Sequence, residues 1–170
     1  MPVPDDNPLR TRETYERFLY TLAAQYPSIR RSTLVYVPSG TYFGRVEGFL
    51  LFDGHIVLCI LEHLTFLPLG VIEHYSYEVS RSEITLDQLV ELSAGKYCAA
   101  AYPHKQKLYW YDSFSHPNDP ALASTDPHHK HIPPDIKHHR VPAPDLSFTR
   151  PSLPFLIEEI ERQVLQQSEA

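Results

Sequence analysis

The stretch FGRVEGFLLFDGHIVLCILEH, residues 43–63, decides the fold. Asp53-Gly54 separates two apolar runs, Phe43–Phe52 and His55–His63. Both central positions of a tight hairpin turn need positive φ, which Asp and Gly tolerate, so the stretch predicts a β-hairpin. The second run is apolar on both faces, with Ile56, Leu58 and Ile60 against Val57, Cys59 and Leu61. That pattern predicts a central strand covered on both sides. Outward from it, Ser32–Val37 and Ile72–Ser80 read as further strands. In the latter, Tyr75, Tyr77 and Val79 share one face and His74, Ser76 and Glu78 the other. Lys96–Tyr102 and Lys107–Tyr111 read as a second hairpin around Pro103-His104-Lys105-Gln106.

Helical periods flank and interrupt these strands. Tyr15, Phe18, Leu19, Leu22, Ala23 and Tyr26 follow helical spacing from Thr11, and Pro27 ends the run. Residues 85–94 predict a short helix, with Thr85 and Gln88 as its capping box and Gly95 as its stop. A closing helix follows Ser152, its predicted N-cap. Its apolar stripe is Leu153, Leu156, Ile157, Ile160 and Val164, and Glu158, Glu159 and Glu161 are expected on its outer face. The fold class expected is α+β: one antiparallel sheet of about five or six strands, covered by helices from the N- and C-termini, with a long His/Pro-rich loop. The expected organisation is a single domain over 1–170, with a loose N-terminus at 1–10 and the loop at 113–147.

Composition narrows the function classes. The net charge is −6, against a generic nucleic-acid sleeve, though a local basic patch remains open. Ten histidines make the charge strongly pH-dependent near neutrality. Cys59 and Cys98 lie in apolar runs, as free buried thiols would, and a cytoplasmic setting is expected. No run of about 18 apolar residues is present, and the first residues lack the pattern of a signal peptide, so no membrane association is expected.

Nine of the 16 prolines and six of the ten histidines lie late in the chain. The histidines are His116, His128, His129, His131, His138 and His139, and the core string is Asp126-Pro127-His128-His129-Lys130-His131. It follows Trp110-Tyr111-Asp112, the end of the last predicted strand. Three readings stay open. In the first, Asp112, His116, His128, His129 and His131 form a catalytic group that cleaves RNA by acid–base chemistry without a metal. Imidazoles would move protons, Asp112 would orient one of them, and Lys130, Arg140 and Tyr111 would hold the substrate. In the second, His128, His129 and His131 bind a divalent metal such as zinc, in a module without turnover that binds an ion or a protein partner. The spacing matches no sharp metal template. In the third, the histidines bond loop carbonyls and pack between prolines.

Neighbouring residues carry paired readings too. Asp112 either orients an imidazole or starts an Asx-turn to the Phe114 N–H. Glu62 is either a base facing the histidine loop or a charged strand terminus at the solvent edge. Tyr75 and Tyr77 read as cross-strand packing.

The order of these pieces resembles the TumE-type proteins, described as toxin components of toxin–antitoxin pairs. The matching residues are Glu62, Tyr75-Ser76-Tyr77, Tyr111-Asp112, His116-Pro117, Pro127-His128-His129-Lys130-His131 and Pro151-Ser152-Leu153, within roughly residues 43–165. The family pattern Arg-Tyr-Asp-Asn stands here as Trp110-Tyr111-Asp112-Ser113, and residues 82–96 and 1–28 look like additions. The resemblance implies a cytoplasmic toxin-type protein with a small antitoxin partner and RNA as the suspected target. No cofactor is expected under this reading.

Overall fold

The computed structural model describes residues 6–91 and 105–168. A 3-10 turn, Pro8–Arg10, leads into α1, Arg12–Gln25. The strands are β1 Arg31–Ser32, β2 Val35–Pro38, β3 Phe43–Leu51, β4 Ile56–Phe66, β5 Gly70–Arg81, β6 Gln106–Asp112, β7 His129–His131 and β8 Arg140–Pro142. Helix α2, Leu86–Glu91, follows β5, and α3, Leu153–Ile160, follows β8. All strand pairs are antiparallel, in the order β1-β3-β4-β5-β6-β7-β8, with β2 also on β3. The hairpin about Asp53-Gly54 forms, with Leu51 opposite Val57.

The sheet has two differently covered faces. Tyr15, Leu19 and Leu22 of α1 and Leu153, Leu156, Ile157 and Ile160 of α3 join Leu58, Ile60, Tyr77, Val79 and Tyr111 in the main core. On the other face Phe49, Val57 and Cys59 pack under Leu89 of α2. β4 is therefore buried on both sides, as its uninterrupted apolar run requires.

Several expectations need correction. Residues 113–147 contain β7 and β8, which extend the sheet beyond β6. Strands of three residues are too short to show alternation against a proline-rich background. The N-terminus is anchored from Asn7, whose Nδ2 donates to the Thr149 carbonyl at 2.7 Å, and Leu9 is buried. Gly70 fits there because a Cβ would stand 1.7 Å from the Leu9 carbonyl oxygen. The Thr85–Gln88 capping box forms. Ser152 makes no side-chain cap; its Oγ accepts from the Ser147 N–H at 3.4 Å. Gly95 and Lys96–Tyr102 lie outside the described residues.

Two carboxylates sit in the main core. Glu62 is not at a solvent edge, and its hydrogen bonds go to tyrosines rather than to a histidine. It is buried, and accepts from Tyr15 Oη at 2.5 Å and Tyr77 Oη at 2.7 Å. Burial pushes its carboxyl up, although both hydroxyls pull it back. Glu159 faces inward rather than outward: it accepts from Lys130 Nζ at 2.5 Å and from Tyr111 Oη at 2.9 and 3.0 Å. The Lys130 ammonium also lies 4.1 Å from the centre of the Tyr109 ring.

These placements give three expected outcomes. Glu62→Leu strands both tyrosine hydroxyls and lowers unfolding stability by about 2–5 kcal/mol, read by urea titration. Glu62→Gln is milder. A carboxyl raised in the fold contributes stability below its ordinary range and loses it as pH rises through the raised value, so Glu62→Gln gains on the wild type as pH rises from the ordinary carboxyl range through that raised value. An unchanged difference across that window refutes the raised state. Lys130→Met leaves Glu159 buried without its cation and costs about 3–5 kcal/mol, part of which Glu159→Gln in the same chain restores.

Candidate functional site

The site grows from the pairing of β6 with β7. Trp110 lies opposite His131 and Asp112 opposite His129, while His131 lies opposite Arg140 of β8. Directly opposed residues share a face, and neighbours along a strand alternate. Asp112, His129, His131 and Arg140 therefore stand on the face away from α3, and Tyr111 and Lys130 on the core face. The continuous string in the sequence is divided between the two sides of the sheet.

Three side chains converge. His129 Nε2 lies 3.1 Å from Asp112 Oδ1, and His131 Nε2 lies 3.2 Å from Asp112 Oδ2. The two Nε2 atoms are 3.0 Å apart. Each ring is fixed from behind by a carbonyl: His129 Nδ1 meets the Pro127 oxygen at 3.1 Å, and His131 Nδ1 the Ile136 oxygen at 3.0 Å. A carbonyl only accepts, so both Nδ1 atoms carry the hydrogen and both Nε2 atoms turn toward Asp112. Trp110 stacks on His131 with ring centres 4.0 Å apart, and its Nε1 donates to Asp112 Oδ2 at 3.2 Å.

Asp112 plays both roles weighed from the sequence: it faces the imidazoles, and its Oδ1 accepts from the Phe114 N–H at 2.9 Å. Partial burial raises its carboxyl. The hydrogen bond to His131, the Phe114 N–H, the His129 ring and Trp110 together outweigh this and hold it below the usual range. Burial pushes the His129 imidazole down, against the pull of Asp112. His129 and His131 are 1% and 4% exposed, so they form the floor of the site, beneath the more open Asp112 and His116.

The His116 ring lies edge-on to His129, centres 4.7 Å apart, and is partly exposed. Its loop is held by Asp126, which accepts from the Ser115 hydroxyl at 2.7 Å and the His116 N–H at 2.9 Å. His128 turns to the core face, with Nδ1 2.8 Å from Tyr75 Oη and its ring against Tyr75 and Phe148. Lys130 and Tyr111 are committed to Glu159 and do not line the site. Arg140 shares the face with His131, and its buried Nε has no hydrogen-bond partner among the described residues. His138 and His139 are exposed and bond Asp135 and the Pro133 carbonyl.

Trp110, Phe114 and Asp126 were not among the site residues expected from the sequence, although the Phe114 N–H stood as the Asx-turn partner of Asp112. Asp126 stood inside the histidine string, but only folding brings it to the His116 loop. Among the described residues, Asp112, His129 and His131 are those whose donor atoms could hold a metal, all within 4.8 Å of one another.

No described helix is long and apolar enough to cross a membrane. No curated protein and no solved structure matches the chain. The family model described as Toxin TumE matches residues 20–164, which takes in the second half of α1 as well as the whole sheet. With Tyr111-Asp112 and the histidine string inside that span, the chain belongs to the TumE toxin family.

Proposed function

We propose that this member of the family is a cytoplasmic toxin-type endoribonuclease, held in check by a small antitoxin protein, and that RNA is cut over the Asp112–His129–His131 floor. One observation carries the reading. A partly exposed imidazole, His116, stands 4.7 Å from the ring of a buried His129 that is itself locked onto a carboxylate. The His116 ring has no hydrogen-bond partner among the described residues, so its nitrogens remain available to a substrate.

The chemistry requires a proton acceptor for the 2′-hydroxyl and a cation for the phosphorane. In this reading His116 takes the 2′-hydroxyl proton, and the 2′-oxygen bonds to phosphorus as the bond from phosphorus to the 5′-oxygen breaks. His116 then returns the proton to the leaving 5′-oxygen. The products are a 2′,3′-cyclic phosphate and a free 5′-hydroxyl. This proton transfer uses no metal ion. Arg140 takes the phosphate charge, and its bidentate geometry suits phosphate oxygens. Phe114 is 71% exposed and fixed at its N–H by Asp112, which offers a ring for a nucleobase to stack on. His129 and His131 act behind Asp112 as positioning residues.

Incubating the purified chain with an RNA oligonucleotide tests this. Cleavage should leave cyclic phosphate ends and fall by about 100- to 10,000-fold in His116→Gln. Arg140→Gln should mainly raise KM, and His138→Gln should leave cleavage unchanged. Intact RNA with soluble, folded wild type, or full activity in His116→Gln, overturns the proposal.

A further inference from the structure

We propose that Asp112, His129 and His131 bind one divalent transition ion of the zinc class, which staples β6 to β7 beneath His116. The reading does not depend on RNA being the target.

Both Nδ1 hydrogens are spent on the Pro127 and Ile136 carbonyls. In neutral rings both Nε2 atoms then present bare lone pairs to each other, at 3.0 Å, and to the two carboxylate oxygens, at 3.1 and 3.2 Å. Four acceptors thus crowd one buried spot, which a low-dielectric site penalises without a positive charge among them. A single proton lies along one of these contacts and leaves the others facing lone pair to lone pair. Two protons place two imidazolium N–H groups against each other. One metal ion at the centre satisfies all four atoms.

The spacing fits this occupant. Ligand bonds of about 2.0–2.1 Å set at tetrahedral angles place donor atoms about 3.3–3.4 Å apart, and at right angles about 2.9 Å. The observed 3.0–3.2 Å lies between the two. Two imidazoles and a carboxylate are a borderline donor set that suits zinc, cobalt or nickel better than calcium or magnesium, which prefer oxygen throughout. The supporting contacts agree: each imidazole gives its other N–H to a backbone carbonyl, and the carboxylate is held by the Phe114 N–H and Trp110 Nε1. Burial selects by size as well. With His129 and His131 almost fully covered, an ion can reach the floor where a nucleotide cannot.

His128 is no part of this set, because its Nδ1 is engaged by Tyr75. Asp112 takes the place that the sequence alone assigned to His128.

The test uses the full, untagged chain stripped of metal with a chelator. Titration with zinc chloride in a calorimeter should show one ion bound per chain, and cobalt chloride should give visible d–d absorption bands. Zinc should raise Tm, since an ion that binds only the folded chain stabilises it. His131→Gln and Asp112→Asn should weaken zinc by more than the about 10- to 100-fold loss expected of an outer-shell change. His138→Gln should leave it unchanged. His129→Cys, which exchanges one zinc ligand for another, should retain binding that His129→Gln loses, so a mere folding defect is told apart from a lost ligand. No saturable binding by the stripped wild type overturns the proposal. So does equal binding by folded Asp112→Asn and His131→Gln. Zinc binding with intact RNA refutes only the ribonuclease reading, and cleavage without zinc binding refutes only this one.

Discussion

The pairing of a three-residue strand, β7, with the end of β6 governs most of what is distinctive here. Backbone alternation then leaves no freedom: His129 and His131 go to one face and Lys130 to the other. The first pair meets Asp112, and Lys130 meets Glu159 of α3. A slip of one residue in this register would exchange the two sets, placing an ammonium on the open face and two imidazoles in the core. The bonds at both ends of β7 resist such a slip. Thr125 Oγ1 donates to the His128 carbonyl at 2.7 Å, and the Ile132 N–H to the His139 carbonyl at 3.1 Å.

The two faces of the sheet divide the work. The core face carries the burial energy through α1 and α3, and the two carboxylates within it are satisfied by tyrosine hydroxyls and a lysine. Removing one partner of such a group is more damaging than replacing the whole set with apolar residues. On the other face, among the described residues, Leu89 of α2 packs over Phe49, Val57 and Cys59, and the polar site lies at the β6–β7 end. There the Asp112 carboxylate alone meets a loop N–H, a tryptophan and two histidines.

That economy bears on the family's motif. Trp110 stands where the family pattern has Arg, yet its indole N–H donates to Asp112 and its ring supports His131. Trp110 thus gives the carboxylate a donor without a charge. Arg140 lies on this face, and Lys107 stands over the Trp110 ring while paired with Glu78.

The hairpin about Asp53-Gly54, the doubly buried β4, the amphipathic α1 and the C-terminal apolar stripe were legible in the sequence, because periodicity and turn chemistry are local. So was the gathering of histidines near Asp112. The division of that string between two faces was not legible, because it depends on the pairing of β7 with a strand far away in the sequence. The inward turn of Glu159 was hidden for the same reason: a carboxylate on a helix reads as solvent-facing until a lysine arrives from another strand. Local sequence set which residues could do chemistry, and long-range register decided which of them meet, because a side chain's neighbours across a sheet are fixed by hydrogen bonds that no local pattern encodes.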